Sequence, residues 1–367
     1  MEPNMNDSVC VFKKDWKEAQ DRMTAWWQGR PVDRVPASVY APHTPTHPRV
    51  GAYVDQTPQK YIDPETVFNN LDYNLERTFW GGEAFPSHFV YFGPLFCTAY
   101  FGAAPVFRYD TTWYEPCCRN LQDLLDLKFD RNNEWWQAVL HMTQLSLERA
   151  EGRYLTQWNG EIMAVMDVIA GVLGIEPTLE AMIEHPEVIH AVRDRMSGWS
   201  HQTVDEGFAM FKDRQEGSID WMSLWAPGRV VSSQCDMSAM ISPAMFRDFV
   251  VPELTDLYKH LDYGIYHLDG PDAIRHVDEL LKIKKLDLIQ WVPGTKIGDP
   301  QFTNPFNWID LFRKIQDGGK KVIVYCAPDQ VKLLLDKLAR DQVYLCVYCP
   351  DETAAGNVLS ELDHIGM

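Results

Sequence analysis

Tyr263-Gly-Ile-Tyr-His-Leu-Asp-Gly270 sets a histidine and an aspartate two residues apart at the end of a short apolar run. Alternate side chains of a strand share a face, so His267 and Asp269 project together, about 7 Å apart along the chain. An imidazole and a carboxylate so placed can orient one another for proton transfer, or offer two ligands to a metal ion. Gly270 and Pro271 end that run. A second apolar run, Leu286-Asp-Leu-Ile-Gln-Trp-Val292, stops in the same way at Pro293-Gly294 and carries Gln290 and Trp291 near its end. Two strands joined by a helix, with polar groups at both strand ends, is how parallel α/β folds assemble active sites.

The elements that must position these groups follow from the apolar pattern. A helix is expected over 13–29, and strand signals recur near residues 35, 85, 154, 218, 263, 286, 321 and 343. The last four alternate strictly with helical segments, which implies a parallel sheet covered on both faces. Eight strands without any Gly-x-Gly-x-x-Gly turn favour a single closed (β/α)8 TIM-type barrel over a dinucleotide fold. Residues 1–19 read as a tail and 20–367 as the barrel. The segment 43–116, rich in Pro, Gly and aromatics, is long for a connection and is expected to fold over the strand ends as a lid. Reading the carboxyl ends of the strands gives the candidate site: Tyr40, Asn159, Trp225, Cys235, Asp236, His267, Asp269, Gln290, Trp291, Tyr325, Cys326, Cys346 and Cys349. Trp158, Trp225 and Trp291 would wall a pocket with Tyr40 beside them, while Asn159 and Gln290 would supply directional hydrogen bonds.

Composition narrows what such a site would act on. The chain has 367 residues, 46% hydrophobic and 23% charged, with a formal net charge of −18. That charge argues against a nucleic-acid backbone or an anionic membrane as partner. No run of 18 apolar residues occurs and the N-terminus is polar, which points to a cytoplasmic location. Eight scattered cysteines without an export signal are expected to stay reduced. Neither a basic cluster for phosphates nor a Gly-x-Ser-x-Gly elbow is present.

Trp26-Trp-Gln-Gly-Arg-Pro-Val-Asp-Arg-Val-Pro36 resembles the opening of uroporphyrinogen decarboxylase-like proteins. Phe92-Gly-Pro94, Met240-Ile-Ser-Pro-Ala-Met-Phe246, Tyr266-His-Leu-Asp-Gly-Pro271 and Ile289-Gln-Trp-Val-Pro-Gly294 are similar to blocks of the same superfamily, in order, from about residue 20 onward. The resemblance implies a distorted TIM barrel. True uroporphyrinogen decarboxylases carry an arginine-rich segment after the first strand; here Tyr40-Ala-Pro-His-Thr-Pro-Thr-His47 stands in its place. The resemblance therefore points to the cobamide-dependent methyltransferases of the superfamily, which bind zinc through His-x-Cys and a late cysteine. On that pattern His267, Asp269 in place of a cysteine, and Cys349 would hold zinc, with Cys346, Cys326 or Cys235 as the substitute thiolate. The implied activity moves a methyl group between a small methylated substrate and a cobamide on a separate corrinoid protein, and relatives of this fold often pair as homodimers. Two other readings stay open. One is a metal-free lyase or decarboxylase-like enzyme on a small organic acid, with His267 and Asp236 as acid and base. The other is a non-catalytic binding protein on the same scaffold.

Overall fold

Apolar runs of six or seven residues, bounded by Gly and Pro, fold as neighbouring strands in the computed structural model of the chain, which describes residues 10–366. The strands are β1 (Ala37–Pro42), β2 (Thr78–Gly82), β3 (Ser87–Phe89), β4 (Ala104–Phe107), β5 (Thr112–Glu115), β6 (Leu155–Gln157) and β7 (Ser218–Ile219). They continue as β8 (Trp225–Ala226), β9 (Val230–Gln234), β10 (Tyr263–Asp269), β11 (Leu286–Val292), β12 (Lys321–Cys326) and β13 (Val343–Tyr348). A seven-stranded sheet runs in the order β2-β1-β13-β12-β11-β10-β9, parallel throughout except for the antiparallel edge strand β2. A separate parallel pair, β3-β6, and two short hairpins, β4-β5 and β7-β8, complete the ladders among the described residues.

The fold is thus mixed α/β on a parallel sheet, while the continuous eight-stranded ladder expected from the sequence is not formed among the described residues. The break falls where the strands are shortest. Only three residues pair in β3 and in β6, and the expected single strand over 218–225 is instead the hairpin β7-β8. Asp220 causes that reversal: its carboxylate accepts from the Leu224 amide at 2.9 Å, and Ser223 closes the turn with φ of 61°. The strand that does join the sheet there is β9, whose Ser-Ser-Gln sequence hides it from a reading of apolar runs.

The two faces of the sheet differ. Ile265, Leu288, Ile323 and Tyr344 point to one face, where Trp26 and Trp27 of the helix Trp16–Trp27 cover the strands' amino ends together with Phe85, Leu155 and Trp225. Leu268, Ile289, Val324, Val347 and their neighbours point to the other, beneath the helices that connect successive strands. Residues 10–15, within the expected tail, also pack: Lys13 is buried and bonds Asp15 at 2.9 Å. Residues 1–9 of that tail lie outside the described residues. All eight cysteines are free thiols. No helix among the described residues is long and apolar enough to cross a membrane.

A buried ion cluster ties the amino ends of the strands together. Glu83 is fully buried and accepts from Arg22 at 2.6 Å, from both terminal nitrogens of Arg34 at 3.0 and 3.1 Å, and from the Ala37 amide at 2.7 Å. Arg22 in turn forks onto Asp33 at 2.6 and 2.7 Å, and Arg34 reaches Asp363 of the last helix at 3.1 Å. Removing Glu83 leaves the Arg22 and Arg34 charges without that partner in a largely buried site, at a cost of about 3–5 kcal/mol. Glu83→Ala is therefore expected to lower the unfolding free energy by about that amount in urea titrations. Asp363→Asn, whose carboxylate is exposed, is expected to change it by less than about 1 kcal/mol.

Candidate functional site

Strand alternation decides which groups face the site. Beyond Ile265 and Leu288 on the covered face come His267, Asp269 and Gln290, and beyond Ile323 and Tyr344 come Tyr325, Cys346 and Tyr348. His267 and Gln290 are register partners in β10 and β11. The Gln290 carbonyl accepts a short hydrogen bond from His267 Nδ1, and its amide nitrogen donates to the Tyr325 hydroxyl at 3.0 Å. Because an amide oxygen can only accept, His267 carries its proton on Nδ1 and leaves Nε2 to take or give one. The Trp221 ring stands edge-on to the imidazole at 5.0 Å and holds its plane.

Carboxylates surround this relay. Asp236 follows β9, and the helix Val165–Leu173 grips it through Asp167, which accepts from the Asp236 and Met237 amides at 2.7 and 3.0 Å. Burial pushes Asp167 up to about 6, against those two amides. Asp236 is pushed up to about 7 by desolvation and by repulsion from Asp167 and Asp269, with His267 opposing. Since its side chain still meets water, the repulsion carries more of that rise than the desolvation does. Asp269 keeps a shielded oxygen, Oδ1, with no hydrogen-bond partner, and a Cβ at Gly294 would stand 2.7 Å from it. Deeper in, Asp220 is pushed up to about 6 by burial, against bonds from the Ser232 hydroxyl and the Leu224 amide. Its charge is felt by Tyr40, Tyr325 and Cys346, all pushed up chiefly by their own burial.

Beside these groups a cavity of about 670 Å3 opens over the carboxyl ends of the strands. Tyr40, Ser87, Phe89, Gln157, Ser223 and Tyr348 form its strand side, while Tyr53, Lys60, Tyr61, Tyr91 and Tyr109, from the segment expected as a lid, form its other side. The rings fall into two groups. Tyr40 stacks on Tyr348 at 5.3 Å and meets Trp80 edge-on at 5.8 Å. Tyr91 stacks on Phe89 at 4.9 Å and lies 6.2 Å from Tyr61.

The structure brings Tyr40 to this cavity and sets His267, Asp269 and Asp236 within electrostatic reach of one another, with Gln290 bonded to His267. These four do not line the cavity, and the relay approaches it through Tyr325, which lies within electrostatic reach of Tyr348 in the wall. Tyr325 joins the relay through Gln290, while the expected tryptophans and Asn159 lie elsewhere. Trp291 follows Gln290 and so faces the helices, its ring tilted against Trp308 at 4.0 Å between centroids. Trp158 is packed among Trp136 and Phe211 on that same side. Trp225 belongs to the returning arm of the hairpin and sits at the amino end, its indole N–H donating to the Glu216 carbonyl at 3.0 Å. Asn159 donates to the Val90 carbonyl at 3.2 Å, and it is Gln157, two residues earlier, that lines the cavity.

Cys349 corrects the expected metal set. With Leu345 and Val347 it belongs to the helix-covered side, next to Cys326, whereas His267 belongs to the opposite one. Cys235 also turns outward, toward Asp167 and Glu253, and Cys346, on the inner face, is pushed up by burial and stays a neutral thiol. Among the described residues no group of three or more His, Cys, Asp or Glu stands close enough to hold a metal ion. The donors present do not fit the zinc expected, and no step below runs through it. Asp220, Gln157 and Tyr348 are the site residues missing from the sequence-derived pocket, whereas Tyr325 is among the strand-end candidates. Ending the strands after Gln157 and Ile219, rather than at the tryptophans beyond, would have found the first two.

No family model matches the chain, and no curated protein matches it. Among solved structures, a methyltransferase from Methanosarcina mazei superposes with a TM-score of 0.61 over 95% of this chain and 98% of that one, at 11% sequence identity. At that identity the likeness establishes a shared fold.

The raised carboxyls set a pH dependence. A carboxyl whose folded pKa lies above its unfolded value of about 4 favours the folded state below pH 4, and that contribution is lost as pH rises through the folded value. For Asp220, raised to about 6, the loss falls between about pH 4 and pH 6. Asp220→Asn is expected to reduce the fall in unfolding free energy between pH 4 and pH 7.5 by about 2 kcal/mol, read from urea midpoints at each pH. An unchanged pH slope in the variant would remove Asp220 from this role.

Proposed function

We propose that this chain is a methyltransferase on a distorted (β/α)8 barrel, taking a methyl group from a small methylated substrate held in the aromatic cavity. The observation that carries the reading is the His267–Gln290–Tyr325 relay at the strands' carboxyl ends, next to a cavity walled by Tyr40, Trp80, Tyr91 and Tyr348. The superposition over nearly the whole length of a methyltransferase supports it, as does the ordered resemblance of sequence blocks to cobamide-dependent methyltransferases. The acceptor in this reading is a cobamide carried by a separate corrinoid protein, which supplies the nucleophile for the methyl carbon. Exposed Tyr109 and Tyr348 at the cavity offer that partner an aromatic rim.

The chain's own residues then have defined tasks. The rings of the cavity exclude water and hold the apolar body of the substrate. As the methyl group departs, the oxygen or nitrogen that bore it gains electron density and needs a proton. His267, protonated on both nitrogens, gives it from Nε2 while Gln290 holds Nδ1–H in place. The closeness of His267 to Asp236, whose carboxyl is pushed up to about 7, also favours a second reading, acid–base elimination of carbon dioxide from a small organic acid.

Methyl transfer to reduced cobalamin, followed by its change in visible absorbance with a panel of methyl ethers and methylamines, tests the proposal. His267→Ala is expected to lower kcat by about 10²–10⁴-fold with little change in KM. Methyl transfer that is absent for every donor, with carbon dioxide release lost in His267→Ala and Asp236→Asn, would move the assignment to the lyase. Chelator treatment and Cys349→Ser are each expected to leave the methyl-transfer rate unchanged. A rate abolished by both would restore a zinc site that includes Cys349.

A further inference from the structure

Gln157 ends β6 with 1% of its surface exposed, and it lines the cavity. Its amide nitrogen donates to the Ser87 hydroxyl at 2.8 Å and to the Ser223 hydroxyl at 3.4 Å. Both donor positions are thereby occupied, while the carbonyl oxygen, Oε1, is shielded from water and has no partner. A buried carbonyl left unpaired costs about 1–3 kcal/mol, so such an atom in a cavity wall marks where a ligand donor belongs. Ser223, fixed in the turn that Asp220 imposes, touches Gln157 and lines the cavity at the same place.

The charges of the cavity restrict the ligand further. Lys60 is its cation, but that ammonium already bonds Asp55 at 2.7 Å and the Tyr109 carbonyl at 2.5 Å, and lies 4.2 Å from the Tyr109 ring centroid. His88, also in the wall, is held neutral by burial, its pKa pushed down to about 3. Among the described residues of the wall no cation is thus left to receive a carboxylate. The cavity is also far larger than a compact onium ion requires, and its stacked ring groups present faces suited to a planar body.

We infer that the cavity takes an uncharged planar aromatic compound carrying a hydroxyl or amino donor, and that Gln157 Oε1 accepts the hydrogen bond from that donor. The inference rests on the cavity being the substrate site proposed above and names the class of substrate it admits. A site that pairs a buried acceptor with a ligand donor rejects the analogue that lacks it, because the acceptor is then stranded.

Isothermal titration of the full chain with phenol, anisole, benzoate and tetramethylammonium tests this without any turnover. Phenol is expected to bind about tenfold or more tightly than anisole, with benzoate and tetramethylammonium weaker still. Gln157→Leu is expected to bring phenol and anisole to equal affinity, while Gln157→Asn, which keeps a carbonyl, retains part of the preference. A melting curve for each variant establishes that it is folded. Equal binding of phenol and anisole by the wild type, a preference that survives Gln157→Leu in a folded protein, or tighter binding of benzoate or tetramethylammonium overturns the inference. Absence of binding by every probe at millimolar concentration overturns it as well. Phenol selectivity that depends on Gln157 in a chain that transfers no methyl group would leave this inference standing and remove the methyl-transfer reading alone.

Discussion

The buried carboxylate of Glu83 is the constraint on which the rest of the arrangement depends. It joins β2, the first helix through Arg22, the approach to β1 through Arg34 and the Ala37 amide, and, through Arg34, the last helix at Asp363. The chain's first and last segments thus meet at one charge cluster, where β1 pairs with β13. A charge this deep is tolerated only because its partners satisfy it at short range. The Asp-Arg-Val-Pro run that opens β1 has its physical reason here: Asp33 holds Arg22 and Arg34 holds Glu83, so both arginines are fixed before the strand begins.

With the amino ends so fixed, the carboxyl ends can carry groups that do little for stability. The inner face changes character along each strand, from Ile265 to His267, from Leu288 to Gln290 and from Ile323 to Tyr325. One residue pair separates a packed apolar floor, closed by Trp26 and Trp27, from a polar relay. Around that relay Asp167, Asp220 and Asp236 are all raised toward neutrality, the first two chiefly by loss of water and Asp236 also by repulsion from Asp167 and Asp269. Groups that titrate near neutral pH beside an imidazole of fixed tautomer are suited to moving protons.

The cavity is assembled from distant parts of the chain. Its strand side comes from β1, β3, β6 and β13, and its other side from residues 53–110, held down by contacts such as Lys60 with the Tyr109 carbonyl and Asn70 with both backbone groups of Val54, at 2.7 and 2.8 Å. Aromatic rings supply most of the surface and a few amide and hydroxyl groups supply direction, the usual division in a site for a small ligand.

The sequence alone determined what depends on local periodicity. The strands β10 to β13 appear where apolar runs end at Gly or Pro, and His267, Asp269 and Gln290 share a face because alternation along a strand is a property of the backbone. Tyr40, at the end of β1, was legible for the same reason. Local periodicity leaves register ambiguous by a residue or two. Trp158, Trp291 and Cys349 each face the packed helix layer, since one residue along a strand reverses the face, and Trp225 lies on the returning arm of a hairpin at the amino end. The turn that Asp220 imposes, the serine-rich strand β9 and the polar role of Gln157 carry no apolar signature at all. Only tertiary structure could decide them, because each is set by partners far away in the chain: Ser232 for Asp220, β10 for β9, and Ser87 with Ser223 for Gln157.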